Sequence, residues 1–226
     1  MNNGDRIPAV NREAVACLER RRNRDAFALL NQGLRAMLLV IQERQDDNHY
    51  LSTGLLNKET MVSSVPLTSS PTDMSYSPDN FFQFYEAAFV ISDDKEKMNR
   101  FLFQDVAAAT LMYNTGLLFH RQGNERGDYK MLKRALYMYE MATSLLQQGS
   151  GQEADNLLML ALTNNMGHIH SHFFEKDKVL LCREIFESLI YEEITAINYD
   201  EGASHFQFFL ECLQYREFGL TVSPAA

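Results

Sequence analysis

Apolar residues recur every three to four positions over most of this chain, the period that buries one face of a helix. In residues 9–45, Val10, Ala14, Val15, Cys17 and Leu18 form one such series, and Ala26, Phe27, Leu29, Leu30, Leu34, Met37, Leu38 and Ile41 form a second. The polar run Arg20-Arg21-Arg22-Asn23-Arg24 separates them, which predicts two helices. Asp25 suits the start of the second, where a negative charge meets the positive helix end. Residues 98–147 carry two longer patterns broken near Gln122–Asp128, and residues 154–174 and 177–197 carry two more. Polar residues from Gln147 to Gln152 predict a stop and a loop, and Thr221–Ala226 a frayed tail.

Two stretches break this rhythm. In residues 52–79, eleven of 28 positions are Ser or Thr, and three of the five prolines fall there (Pro66, Pro71, Pro78). So little apolar surface cannot offset ordering entropy, and a mobile linker is expected. Ser70-Pro71 and Ser77-Pro78 fit proline-directed phosphorylation or, more simply, turns. The blocks Phe81–Ile91 and Phe206–Leu213 are apolar enough for either a helix or a strand. They predict either a short two-stranded β-ribbon made by pairing with each other, or two helices.

Composition narrows the class. Hydrophobic residues make up 46% and charged residues 23% of 226 positions, enough to bury a core. A net charge of −9 gives nothing to draw the chain to nucleic acid or an anionic membrane, so neither is expected as partner. Cys17, Cys182 and Cys212 lie far apart and form neither a disulfide framework nor a zinc knuckle. The first residues lead into no apolar signal region, and the run Ala36–Ile41 is far short of a membrane span. A cytoplasmic location is expected, with the nucleus left open.

Internal repetition is the strongest pattern. Gly116, Phe119 and Gly123 are followed by Ala135, Tyr139 and Ala142, and the frame recurs at Gly167 and His170 with Cys182, Phe186 and Leu189. It recurs again at Ala14 and Cys17 with Ala26, Leu30 and Gly33. Small residues let paired helices approach, and aromatics fill the holes between them. This frame resembles the tetratricopeptide repeat, over about residues 8–45, 105–147 and 157–195. The arrangement as a whole also resembles predicted proteins of unicellular algae carrying that repeat. The resemblance implies an all-α fold of antiparallel helix pairs in a single domain. Such repeats run about 34 residues, whereas Gly116 and Gly167 stand 51 apart, so longer helices or an inserted turn are expected.

The resemblance also implies a groove lined by the first helices of successive pairs, where an Asn beside the small residues grips a peptide backbone. Asn114 and Asn165 stand two residues before Gly116 and Gly167. An amide suits that work because it both donates and accepts. Leu117, Arg121, Ala161, His168 and His172 share those helix faces. The function expected is a protein- or peptide-binding adaptor or scaffold, with no catalytic residue and no cofactor. One alternative is a metal-dependent enzyme with His168, His172 and Glu175 as ligands at i, i+4 and i+7. No second carboxylate cluster accompanies those three. Another is a self-associating adaptor docking its Phe-rich segment on a neighbour. The basic run at Arg20–Arg24 reads as an import signal or, more simply, a solvated turn. Gly123–Gly127 lacks the Lys-Ser/Thr ending of a phosphate loop and reads as a turn.

Overall fold

A computed structural model describes residues 3–46, 61–67, 81–92, 100–148, 156–196 and 206–213. The chain is mostly helical with one small antiparallel sheet. Helices α1 (Asn3–Glu19) and α2 (Asn23–Asp46) precede strands β1 (Val62–Pro66) and β2 (Ala87–Ile91). Helices α3 (Arg100–Arg126), α4 (Tyr129–Gln148), α5 (Asn156–His172) and α6 (Lys176–Ala196) follow, and a short α7 covers 206–213. The proline-directed sites at Ser70 and Ser77, the tail from Thr221 and most of the expected linker lie outside the described residues. No helix among the described residues is long and apolar enough to cross a membrane.

Helices pair in order: α1 with α2, α3 with α4, and α5 with α6. All three pairs turn back through the same closure. Arg21, Gly127 and Phe174 adopt positive φ of 56°, 62° and 57° just past the ends of α1, α3 and α5. The next residue's N–H then donates to a carbonyl five residues back: Arg22 to Cys17, Asp128 to Gly123 and Glu175 to His170. That left-handed closure satisfies carbonyls the helix leaves open. In the middle turn Asp128 also caps α4, its Oδ1 accepting from the N–H of Lys130 at 2.9 Å.

The chain divides into two compact units. The first comprises Met1–Ser69 and Glu86–Asp155, the second Ser70–Tyr85 and Asn156–Ala226. In the first, α2 packs on α3, and β2 lies against α1 and α3, the first helices of their pairs. Ile7, Leu30, Met37, Phe103 and Leu111 form a core there that also takes in Ile91 of β2. In the second, α5 is buried along most of its length. Phe82, Phe186 and Phe209 meet there in edge-to-face contacts at 5.9 Å.

Three sequence expectations are corrected. The stretch 52–79 is not linker throughout, since Val62–Pro66 forms β1, paired to β2 with Val62 opposite Ile91 and Pro66 opposite Ala87. The two Phe-rich blocks neither pair with each other nor both become helices. The first forms strand β2 over Ala87–Ile91 and no regular element before it, while the second is α7, whose Phe209 and Cys212 are buried at helical spacing. Gly123 is not in a turn either. It sits inside α3, where a Cβ would come within 2.6 Å of Leu132, and only Gly127 and Asp128 separate the helices. The stretch from Gly123 to Ala135 is therefore long helix around a two-residue turn, with no inserted turn.

Candidate functional site

Strand β2 and the residues just before it, from Gln83 to Ile91, are held through their backbone by side chains of the first helices. In the first unit, the N–H of Phe89 donates to Asn114 Oδ1 at 2.9 Å, and Asn114 Nδ2 donates to the carbonyl of Phe89 at 2.8 Å. Tyr113 Oη donates to the carbonyl of Ala87, and the N–H of Ile91 donates to Asn11 Oδ1 at 3.0 Å. In the second unit, Asn165 treats Tyr85 as Asn114 treats Phe89, accepting from its N–H at 2.9 Å and donating to its carbonyl at 3.2 Å. Asn164 Nδ2 donates to the carbonyl of Gln83.

In the first unit the residues held are 87, 89 and 91, every second one of β2, the period with which a strand turns its N–H and C=O groups to one side. In the second unit they are 83 and 85. Even-numbered residues of the first unit face β1 instead: Leu67 N–H donates to the carbonyl of Glu86, and Ser92 N–H to that of Met61. The side-chain amides of Asn114 and Asn11 thus take the place of a neighbouring strand along the other edge of β2. Pro66 sits opposite Ala87, a position where β1 owes no donor to β2, so its missing N–H costs nothing there.

Side chains of the segment fill the helix pairs. Phe89 meets Tyr113 edge-on at 4.9 Å, and Tyr113 lies 5.6 Å from Tyr139, whose hydroxyl is 3.3 Å from His120 Nδ1. Tyr139 explains Gly116, where a Cβ would stand 2.6 Å from its ring. Likewise a Cβ on Gly167 would stand 2.4 Å from the ring of Phe82. Tyr85 packs on Phe208 and Phe209 of α7.

Arg121, only 3% exposed, is the charged member of the arrangement. Its Nε lies 2.8 Å from Glu86 Oε1 and 3.5 Å from Glu125 Oε1, and its Nη1 donates to the carbonyl of Leu18 near the end of α1. Burial pushes the Glu86 carboxyl above the usual range, and Arg121 pulls it back only in part.

The residues expected to line a groove fall in both units. Asn114, Leu117 and Arg121 belong to the first, and Ala161, Asn165, His168 and His172 to the second. Asn114 and Asn165 hold backbone of the chain itself. Asn114, Leu117, Ala161 and Asn165 are buried rather than standing open in a groove as expected. Asn11 and Asn164 were missed. Asn11 stands three residues before Ala14, close enough to the position of Asn114 before Gly116 to have signalled it.

His168 and His172 stack edge-on at 4.7 Å, with Phe84 on the other ring contact of His168. Burial, helped by His172, lowers His168 to about 3, so it is neutral. Glu175 does not join them. Its Oε2 lies 2.6 Å from Nδ1 of His170, and that contact holds its carboxyl below the usual range. The metal-ligand trio of the enzyme alternative is therefore not assembled. Among the described residues no three His, Cys, Asp or Glu side chains are placed to share a metal ion. Cys17, Cys182 and Cys212 are buried and not in disulfides, and burial pushes Cys212 up to about 12. Compared with protein-family models, curated proteins and solved structures, the chain has no match.

Proposed function

We propose that this chain is a tetratricopeptide-like adaptor or scaffold whose helix pairs bind an extended peptide through its backbone, with residues 83–91 acting as a built-in ligand. The observation that carries this reading is the double grip of Asn114 on Phe89 and of Asn165 on Tyr85. A side-chain amide satisfying both groups of one residue reads main chain rather than sequence, and so suits any strand that can supply the right anchors. The three matching turn closures and the seat of β2 on α1 and α3 support the repeat assignment.

The test uses the full-length chain carrying Phe82→Ser, Tyr85→Ser and Phe89→Ser, so that its own segment loses its anchors. A synthetic peptide spanning residues 81–92 should bind this chain, restore its far-UV circular dichroism and raise its melting temperature. A peptide with no effect at 1 mM, a concentration at which even an affinity of about −4 kcal/mol would register, would make the segment an inseparable part of the core and defeat the reading.

A further inference from the structure

We infer that Arg121 makes this site selective for a strand bearing one carboxylate side chain three residues ahead of an aromatic anchor. The inference rests on the reading of residues 83–91 as a ligand and names the peptide class it takes. Backbone bonds made at every second residue are blind to a slip by two. After such a slip the odd-numbered residues would still face the amides, but Phe84 or Ala88 would replace Glu86 beside the guanidinium. Neither can accept a hydrogen bond through its side chain. Something other than the amide ladder therefore fixes register and discriminates between strands.

Arg121 has the properties required. It is buried, and its Nε takes Glu86 at 2.8 Å against 3.5 Å for Glu125. Its Nη2 is buried with no hydrogen-bond partner among the described residues, so it has no spare acceptor to turn to if Glu86 leaves. The remaining carboxylate, Glu125, is 42% exposed and screened by water, and Arg21 at 3.7 Å shares it. Glu86 is the one charged residue between Phe81 and Ile91. An otherwise uncharged strand thus carries its single charge where the buried cation lies. The occupant that fits is an extended, apolar peptide with an acidic residue followed at the third position by Phe or Tyr.

Three fluorescent 81–92 peptides, with Glu, Gln or Lys at position 86, are titrated against the full-length triple-Ser chain and against the same chain carrying Arg121→Gln. The Gln peptide should bind Arg121 at least tenfold more weakly than the Glu peptide, about 1.4 kcal/mol, and the Lys peptide more weakly still. With Arg121→Gln the preference should vanish. Equal binding of Glu and Gln peptides to the Arg121 chain would overturn the inference and leave the reading of the segment intact. Failure of every peptide would overturn that reading instead. In that case the otherwise native chain decides the selectivity through Glu86→Gln, Arg121→Gln and the double variant. Coupling of tenfold or more in the folding equilibrium supports it, and additive effects refute it.

Discussion

Replacing Asn114 by Ala puts a number on the side-chain ladder. The substitution removes two buried hydrogen bonds, of 2.9 and 2.8 Å, and strands both backbone groups of Phe89 between α3 and β1. Each buried group left without a partner costs about 1–3 kcal/mol, so the pair costs about 2–6. Ala is the better helix former and returns at most about 0.7 kcal/mol. A net loss of about 1–5 kcal/mol is expected, a large share of the roughly 5–15 kcal/mol that holds a domain folded. With a urea slope of about 2 kcal/mol per molar, the midpoint should fall by about 0.5–2.5 M. The Phe89 amide should also exchange with solvent at least tenfold faster than in the parent. Asn165→Ala should act on the second unit in the same way through Tyr85. An unchanged midpoint together with unchanged Phe89 protection would refute the reasoning, since both are required if the amide replaces a strand edge.

Three further outcomes test other parts of the structure. Gly167→Ala should lower stability by up to about 2 kcal/mol in a melting experiment. The added methyl meets the Phe82 ring at 2.4 Å, and an overpacking cost of about 1–3 kcal/mol exceeds the helix gain of about 1. Phe174→Gly should instead raise the melting point by about 0.5–1 kcal/mol of stability. Phe174 holds φ of 57° while 87% exposed, so glycine relieves strain without removing packing. For His168 the folded value, about 3, lies below the ordinary 6.5, so its contribution is present above 6.5 and is lost as pH falls toward 3. Urea midpoints at pH 7 and pH 5 should show a loss of up to about 2 kcal/mol that His168→Gln removes.

The long helices were legible because their apolar period extends over four or more turns, and α1 to α6 fall close to where that period places them. Asp25 belongs to the first turn of α2, which begins two residues earlier at Asn23. Short elements were not legible. In β1 two serines and a proline mask three buried apolar residues nearby, Met61, Val62 and Leu67, and its pairing with β2 is set by a partner 20 or more residues away. For α7, eight residues offer too few turns to separate helix from strand. At the candidate site the chemistry of Asn114 and Asn165 could be read from their place beside Gly116 and Gly167. Their occupant could not, because nothing near Asn165 in sequence points to Tyr85, 80 residues before it.

That separation has a consequence for how the protein is made. Phe89 can find Asn114 as soon as α3 has emerged, only 25 residues later. Phe82 and Tyr85 must wait for α5, α6 and α7, so a growing chain that has completed α4 has β2 anchored while the residues just before it still lack their partners. During that interval its exposed cluster of Phe81, Phe82, Phe84 and Tyr85 is a target for aggregation and for chaperones that hold apolar segments. At a synthesis rate of about 5–20 residues per second the exposure lasts seconds. The first unit can thus close once α4 has emerged, while the second must wait for α7.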